Sequence, residues 1–418
     1  MPVLRYCLLL PLLLLVLIAC QPKPGELQQP AADDSTLRLG AEQLELYLSL
    51  LANKEVGLLV NQTSLIGEQH LVDVLLAEGV NIKTIFAPEH GFRGDHDAGA
   101  KVDHSIDQRT GLSITSMYGA NRKPDAELMR QLDVVIFDIQ DVGVRYYTYI
   151  SSMHYLMEVA AAEGTEVIIL DRPNPNGRYV DGPVLDLAFQ SFVGMHPIPL
   201  LHGMTVGELA LMIQGEGWIP QAEQLKLTVI PMQQYQRDMA YSLPIRPSPN
   251  LPNDQSIALY ASLGFFEATP MSVGRGTPYP FQVLGYDQFA LTEDLAEAFT
   301  FIPVSTPGAA LTPPLQDKTV YGQDLRQVAA GGLDLSYLLQ WQQRFAVEQQ
   351  ALFNSPGFMD RLAGTDQLRL QIELGISEQD IRARWQPGLE QFLQQRQPYL
   401  LAYGLMYGCY RKGWIWKV

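Results

Sequence analysis

The stretch Phe86-Ala87-Pro88-Glu89-His90-Gly91-Phe92-Arg93-Gly94-Asp95 decides how this chain of 418 residues is read. The apolar run from Ile82 to Ala87 that leads into it has the length and composition of a buried strand. Pro88 ends the run, a carboxylate and an imidazole follow, and two glycines bracket Arg93. In an open parallel α/β sheet, ligands bind just beyond the carboxyl ends of the strands. A Glu-His pair in that place can move protons. The alternative is a polar loop in which Glu89 meets solvent and His90 caps a turn.

Working outward, the same pattern repeats. Glu55 to Val60 predicts a strand ending in Asn61-Gln62-Thr63, and Asp133 to Phe137 one ending in Asp138-Ile139-Gln140-Asp141. Glu166 to Leu170 predicts a third, ending in Asp171-Arg172-Pro173-Asn174-Pro175. Between them lie helical patterns: Leu71 to Glu78, and Ser151 to Glu163 with Met153, Leu156, Met157 and Ala160 on one face before Gly164. Short apolar runs alternating with amphipathic helices imply βαβ units and a parallel sheet. The fold class is therefore α/β, with a Rossmann-like domain expected over residues 37–240. Thr205-Val206-Gly207-Glu208 is a capping box that opens a further helix. The proline-pinned run Arg246 to Pro252 reads as a crossover into a smaller α/β domain over 241–418. There, Ser377 to Asp380 opens a helix and Tyr399 to Tyr410 is a strand candidate.

No strand runs into G-x-G-x-x-G, and neither G-x-x-x-x-G-K-S/T nor G-x-S-x-G occurs, so nucleotide cofactors and a serine-hydrolase elbow lose support. A formal net charge of -16 argues against nucleic acid as a partner. Of three cysteines, Cys7 and Cys20 lie near the N-terminus and Cys409 stands alone, so no cysteine metal site or disulfide framework is available. Residues 1–19 form an export signal, with Arg5 ahead of the apolar run Leu8 to Ile18. It ends in Leu17-Ile18-Ala19-Cys20, similar to the lipobox of bacterial lipoproteins, which makes Cys20 the expected lipidation site. Gln21 after it favours the outer membrane, on its periplasmic side. Residues 20–36, rich in Pro and Gln, read as a tether.

Three strand ends thus deliver acids: Glu89, then Asp138 and Asp141, then Asp171. Strands of one parallel sheet end on one edge, so these carboxylates are expected to converge. Converging acids suit glycoside hydrolysis, where one protonates the leaving oxygen and another serves as base, nucleophile or stabiliser. The alternative for Asp171 is a cap on the next helix. The run Asp138 to Tyr149 alternates polar and aromatic groups that can line a sugar site, with Arg145 or Arg275 able to clamp a carboxylate. The alternative is that its tyrosines are core and Arg145 pairs with Asp141. Glu89-His90 with Asp95-His96-Asp97 offers metal ligands, but without a helical metal-binding spacing.

Several segments resemble the exo-β-N-acetylmuramidase (NamZ) family, long catalogued as a domain of unknown function. They include Phe86 to Gly94, Phe137 to Gly143, Tyr147 to Ile150, Leu170 to Pro175, Gly182-Pro183-Val184 and His202 to Leu209, followed by Pro247 to Asn250, Gly274 to Thr277 and Asp360 to Thr365. Where that family tends to read F-E-G-T-N, this chain reads Phe266-Glu267-Ala268-Thr269-Pro270, a loop expected to shape the site differently. The resemblance implies two domains with the site between them. It also implies release of terminal β-1,4-linked N-acetylmuramic acid from the non-reducing ends of peptidoglycan fragments, with Glu89 as the catalytic acid. The expected site has Glu89, His90 and Asp138 in catalysis. Asp141, Arg145, Tyr147, Asp171, Asn174, His202, Asn250, Glu267 and Arg275 contact the sugar, and no cofactor or metal is expected. A sugar-binding lipoprotein without turnover, or a metal-dependent hydrolase, is the competing reading.

Overall fold

A computed structural model describes residues 36–89, 91–93, 105–119, 122–289 and 298–403. Its central sheet is built from Val56–Val60 (β1), Ile82–Ala87 (β2), Ser105–Ile106 (β3), Ser113–Ser116 (β4), Val134–Asp138 (β5), Glu166–Leu170 (β6) and Leu227–Ile230 (β7). The strand order is β3-β4-β2-β1-β5-β6-β7, parallel throughout except for the short edge strand β3. The expected α/β class and parallel sheet are present. β4 and β7, which carry Ser and Thr among their few residues, have no long apolar run to announce them.

The central strands β1, β2, β5 and β6 are mostly apolar because both faces of the sheet are covered, with Lys83 in β2 their one exposed position. Side chains alternate across β5, so Val134 and Ile136 enter one core while Val135 and Phe137 enter the other. The first core lies under Leu44–Leu51 (α1) and Leu71–Ala77 (α2). The second lies under Tyr149–Glu163 (α3), with Met153, Leu156 and Met157, and under Val206–Gly215 (α4), with Leu209, Met212 and Ile213.

The later part of the chain opens with Asp254–Leu263 (α5) and adds an antiparallel sheet of Val283–Tyr286 (β8), Ala298–Phe301 (β9) and Val320–Asp324 (β10), with β10 in the middle. Four helices follow: Ser336–Val347 (α6), Pro356–Ala363 (α7), Gln367–Glu373 (α8) and Glu378–Gln395 (α9). Their buried Trp341, Phe345 and Phe392 join the core beneath α3 and α4. No helix among the described residues is long and apolar enough to cross a membrane. The aromatic strand expected from Tyr399 is not formed in its described part. Gln397–Tyr399 is a single tight turn, and the chain then runs irregularly through Tyr403. The reason is local demand at the start of α4. The Leu401 amide donates to Glu208 Oε1 at 2.8 Å, and the Tyr403 hydroxyl donates to Asp171 Oδ2 at 2.7 Å.

The topology fixes where a ligand can bind. The chain leaves β1 toward β2 and β4 on one side, then returns to build β5, β6 and β7 on the other. The strand order therefore reverses around β1, and the crevice outside the carboxyl ends of β1, β2 and β5 is the switch point. Asn61, Glu89 and Asp141 lie just beyond those ends.

The neighbouring strand ends are held together by a buried ion pair. Arg172, just past β6, donates from Nε to Asp138 Oδ1 at 2.5 Å and from Nη2 to Oδ2 at 2.8 Å. Asp138 is fully buried and its carbonyl also accepts from Ser64 Oγ. Removing one member of such a pair strands the other charge away from water. Arg172→Gln is expected to lower the unfolding free energy by about 3–5 kcal/mol, read from urea unfolding. A loss below about 1 kcal/mol, the scale of surface pairs, would show that the pair does not hold the sheet edge.

Candidate active site

A cleft of about 400 Å³ opens at the switch point. Glu89, Tyr147, Asn250, Glu267 and Arg275 all line it, so five of the expected site residues meet. His90 lies outside the described residues, as do Asp95, His96 and Asp97. A second cavity of about 320 Å³ shares Glu267, Arg275 and Phe358 with the first.

Each lining group is placed by its own segment. Glu89 stands two residues past β2, on a turn in which the Gly91 amide donates to the Pro88 carbonyl at 3.1 Å. Phe92 anchors that turn, its ring edge-on to His70 at 4.7 Å, and Arg93 pairs with Asp107 at 2.9 Å. Tyr118 comes alongside through strand register. Ala87 pairs with Ser116, which sets Glu89 and Tyr118 equally far beyond adjacent strand ends. Burial, and then the Glu89 charge, push the Tyr118 hydroxyl above its ordinary range. Glu267 follows α5 on a short turn fixed by the fully buried Phe265 and Phe266. Arg275 sits between Gly274 and Gly276, whose φ of 81° and 78° suit glycine. A Cβ on Gly274 would also lie 2.6 Å from the Tyr279 carbonyl. This turn brings the Arg275 guanidinium onto Glu267, with Nε to Oε1 at 2.8 Å and Nη2 to Oε1 at 2.6 Å.

The run Tyr146 to Tyr149 joins the two parts of the chain. The Tyr146 hydroxyl donates to the carbonyls of Tyr260 and Ala261, and the Tyr147 hydroxyl to that of Pro247 at 2.8 Å. These tyrosines are thus core and cleft wall at once. Tyr149 packs edge-on to Tyr147 at 4.9 Å and lines the cleft, and neither reading of the sequence singled it out alone. Its hydroxyl is buried without a hydrogen-bond partner, as are Asn61 Nδ2 and Asp141 Oδ1. Asn61 faces the Tyr149 hydroxyl without closing a bond of good geometry, and the charges of Glu89 and Asp141 both act on it. Of these three residues Tyr149 lines the cleft, and Asn61 and Asp141 are buried outside its lining.

The other expected residues serve the scaffold and do not line the cleft. Asp138 is committed to Arg172. Asp171 accepts from the Gly207 and Arg172 amides and from the Thr205 and Tyr403 hydroxyls, which makes it a cap on α4, the alternative its sequence left open. Arg145 does not pair with Asp141. It is fully buried and donates to the carbonyls of Pro183, Ile198, Leu362 and Ala363. Burial without a counter-charge pulls its pKa down to about 9. Asn174 donates to the Met204 carbonyl and fills the space beside Gly143, where a Cβ would meet it at 2.1 Å. His202 accepts from the Met204 amide, and burial lowers its pKa to about 3. The carboxylates of the strand ends therefore do not all converge. Of the predicted acids, Glu89 and Glu267 face the cleft.

Phe192, Arg122 and Arg361 also line the cleft and were not anticipated. Arg122 and Phe192 lie on loops outside any motif, whereas Arg361 stands within the family-like segment Asp360 to Thr365, on α7. Among the described residues no group of three His, Cys, Asp or Glu side chains is arranged to hold a metal.

The sequence family described as exo-beta-N-acetylmuramidase NamZ, N-terminal, matches residues 56–255, and its C-terminal counterpart matches 258–402. The chain belongs to the NamZ family. It is 36% identical over 376 residues to the peptidoglycan beta-N-acetylmuramidase NamZ of Bacillus subtilis (strain 168), covering 85% of this chain and 88% of that protein. A crystal structure of a DUF1343 family protein from Bacteroides fragilis NCTC 9343 superposes with a TM-score of 0.79 at 42% identity, over 89% of this chain and all of that one. A second DUF1343 family protein from the same organism gives 0.74 at 29% identity, over 88% and 99%. The NamZ resemblance and the glycosidase class expected from sequence are thereby shown. The two NamZ segments join within the start of α5, which leads directly to Glu267.

Asp141, buried just past β5, carries a test of its own. Burial raises its pKa from the ordinary 3.8 to about 7, although its Oδ2 accepts from the Gly143 amide at 2.6 Å. The neutral acid is thus favoured in the folded protein, and stability is lost as pH rises from about 4 to about 7. Asp141→Asn removes that loss. Relative to wild type it is expected to gain about 1–3 kcal/mol between about pH 5 and about pH 8, measured by denaturant unfolding at each pH. Parallel pH profiles for the two proteins would place the Asp141 carboxyl in a solvated setting instead.

Proposed function

We propose that this chain is an exo-acting glycoside hydrolase that releases terminal, non-reducing β-1,4-linked N-acetylmuramic acid from peptidoglycan fragments. The observation that carries the reading is the pair of acids in the cleft of a NamZ-family fold. Glu89 lines it with no cation paired to it among the described residues, while Glu267 is held on Arg275. Glu89 donates its proton to the departing glycosidic oxygen, which a half-buried carboxyl at a strand end is placed to do. Glu267, the other carboxylate of the lining, stabilises the positive charge that develops on the sugar ring until water adds at C1. Tyr147 and Tyr149 supply aromatic surface for the apolar face of the pyranose, and Asn250 contributes a polar contact. No cofactor enters this chemistry.

The test is Glu89→Gln, which keeps the shape and removes the proton. Turnover of the disaccharide of N-acetylmuramic acid and N-acetylglucosamine is expected to fall by about 10²–10⁴-fold. Loss should be smaller for a chromogenic muraminide, whose leaving group needs no proton. Release of muramic acid from the disaccharide at the wild-type rate would remove Glu89 from the acid role.

The same reading places the protein in the cell envelope. The Leu17-Ile18-Ala19-Cys20 signal supports lipid attachment at Cys20, on the periplasmic side of the outer membrane, with residues 21–36 as tether. Cys20→Ser is expected to move the protein from the membrane fraction to the soluble fraction of lysed cells. Equal membrane partitioning of both forms would rule the anchor out.

A further inference from the structure

N-acetylmuramic acid differs from N-acetylglucosamine by one group, the lactyl ether at C3, which ends in a carboxylate. A site that distinguishes them within a chain of net charge -16 needs a local cation at that group. Arg275, the residue expected for this task, is occupied by Glu267. Arg145 and Arg172 are buried in the scaffold. Two arginines remain in the lining, Arg122 and Arg361, and neither has a carboxylate partner among the described residues.

Arg122 has the better-built position. Its guanidinium lies 4.2 Å above the Phe192 ring. Phe192 in turn stacks on Tyr155 at 6.1 Å with the planes 10° apart, and its carbonyl accepts from Ser151 Oγ at 2.7 Å. Ser151 and Tyr155 are one turn apart on α3, the helix that also begins with Tyr149. An aromatic ring beneath a guanidinium takes up its face and leaves the N–H edge free for a carboxylate in the same plane. Arg122, Tyr118 and the acid Glu89 line the same cleft, and the Tyr118 hydroxyl feels the charges of both neighbours. Arg361 lies farther from its ring, at 5.8 Å from Phe358, on the side shared with the second cavity.

We propose that Arg122, stacked on Phe192, receives the lactyl carboxylate and gives the enzyme its preference for muramic acid. The inference rests on the function proposed above. A lactyl carboxylate there meets a planar donor fork.

The experiment compares chromogenic N-acetylmuraminide with the same compound carrying its lactyl carboxylate as the neutral methylamide. For Arg122→Gln, the ratio of kcat/KM for acid over amide is expected to fall at least ten-fold, about the worth of one hydrogen bond to a charged group, with the loss mainly in KM. Arg122→Lys should recover part of the ratio, because a point charge remains but the fork does not. Arg361→Gln should shift the ratio less than Arg122→Gln. An unchanged ratio in Arg122→Gln, an equal loss on acid and amide, or a larger shift in Arg361→Gln overturns the assignment. Wild-type enzyme that turns over neither compound overturns the proposed function and this inference together, whereas active wild type with an unaffected Arg122→Gln overturns the inference alone.

Discussion

A parallel sheet covered on both faces leaves its carboxyl edge as the place where polar groups gather, and in this protein everything else follows from how that edge is satisfied. Strands β1, β2, β5 and β6 deliver Asn61, Glu89, Asp138, Asp141, Asp171 and Arg172 to one line. Charges buried there need counter-charges or hydrogen bonds. Asp138 finds Arg172, and Asp171 finds the first turn of α4 together with Tyr403. What remains at the reversal around β1 is Glu89, which lines the cleft, with Asn61 and Asp141 buried.

The division between scaffold and site explains how far the sequence could be read. The strands with long apolar runs, the capping box at Thr205 and the Glu89 turn were legible because each signal is local. Asp171 was not separable from Glu89 by inspection, since both are acids just past a buried strand. Its partner Tyr403 lies 232 residues away, and the acceptors of Arg145 on α7 lie 217 and 218 residues away. Such pairings are decided by packing, which single-sequence patterns do not encode. The family resemblance narrowed the field to the right segments, yet segment identity alone did not say which side chains turn outward.

The unanticipated lining shows the converse limit. Arg122 and Phe192 carry no motif, and their meaning comes from the face of α3 on which Phe192 stacks. The loop Ala268-Thr269-Pro270, where the chain departs from the family pattern, proves to be packed. Ala268 is buried, the Thr269 hydroxyl donates to the Phe266 carbonyl at 2.7 Å, and Thr269 lines the second cavity beside Glu267 and Arg275.

Arg145 carries a consequence for how the two matched segments depend on each other. Its guanidinium leaves the segment matched by the N-terminal NamZ description and ends on carbonyls of both segments, with Leu362 and Ala363 supplied by the C-terminal one. A cation sealed from water with half its acceptors missing has no stable alternative. The two segments are therefore obligate companions rather than exchangeable modules. A proteolytic cut between them would leave two pieces that still share this one buried cation.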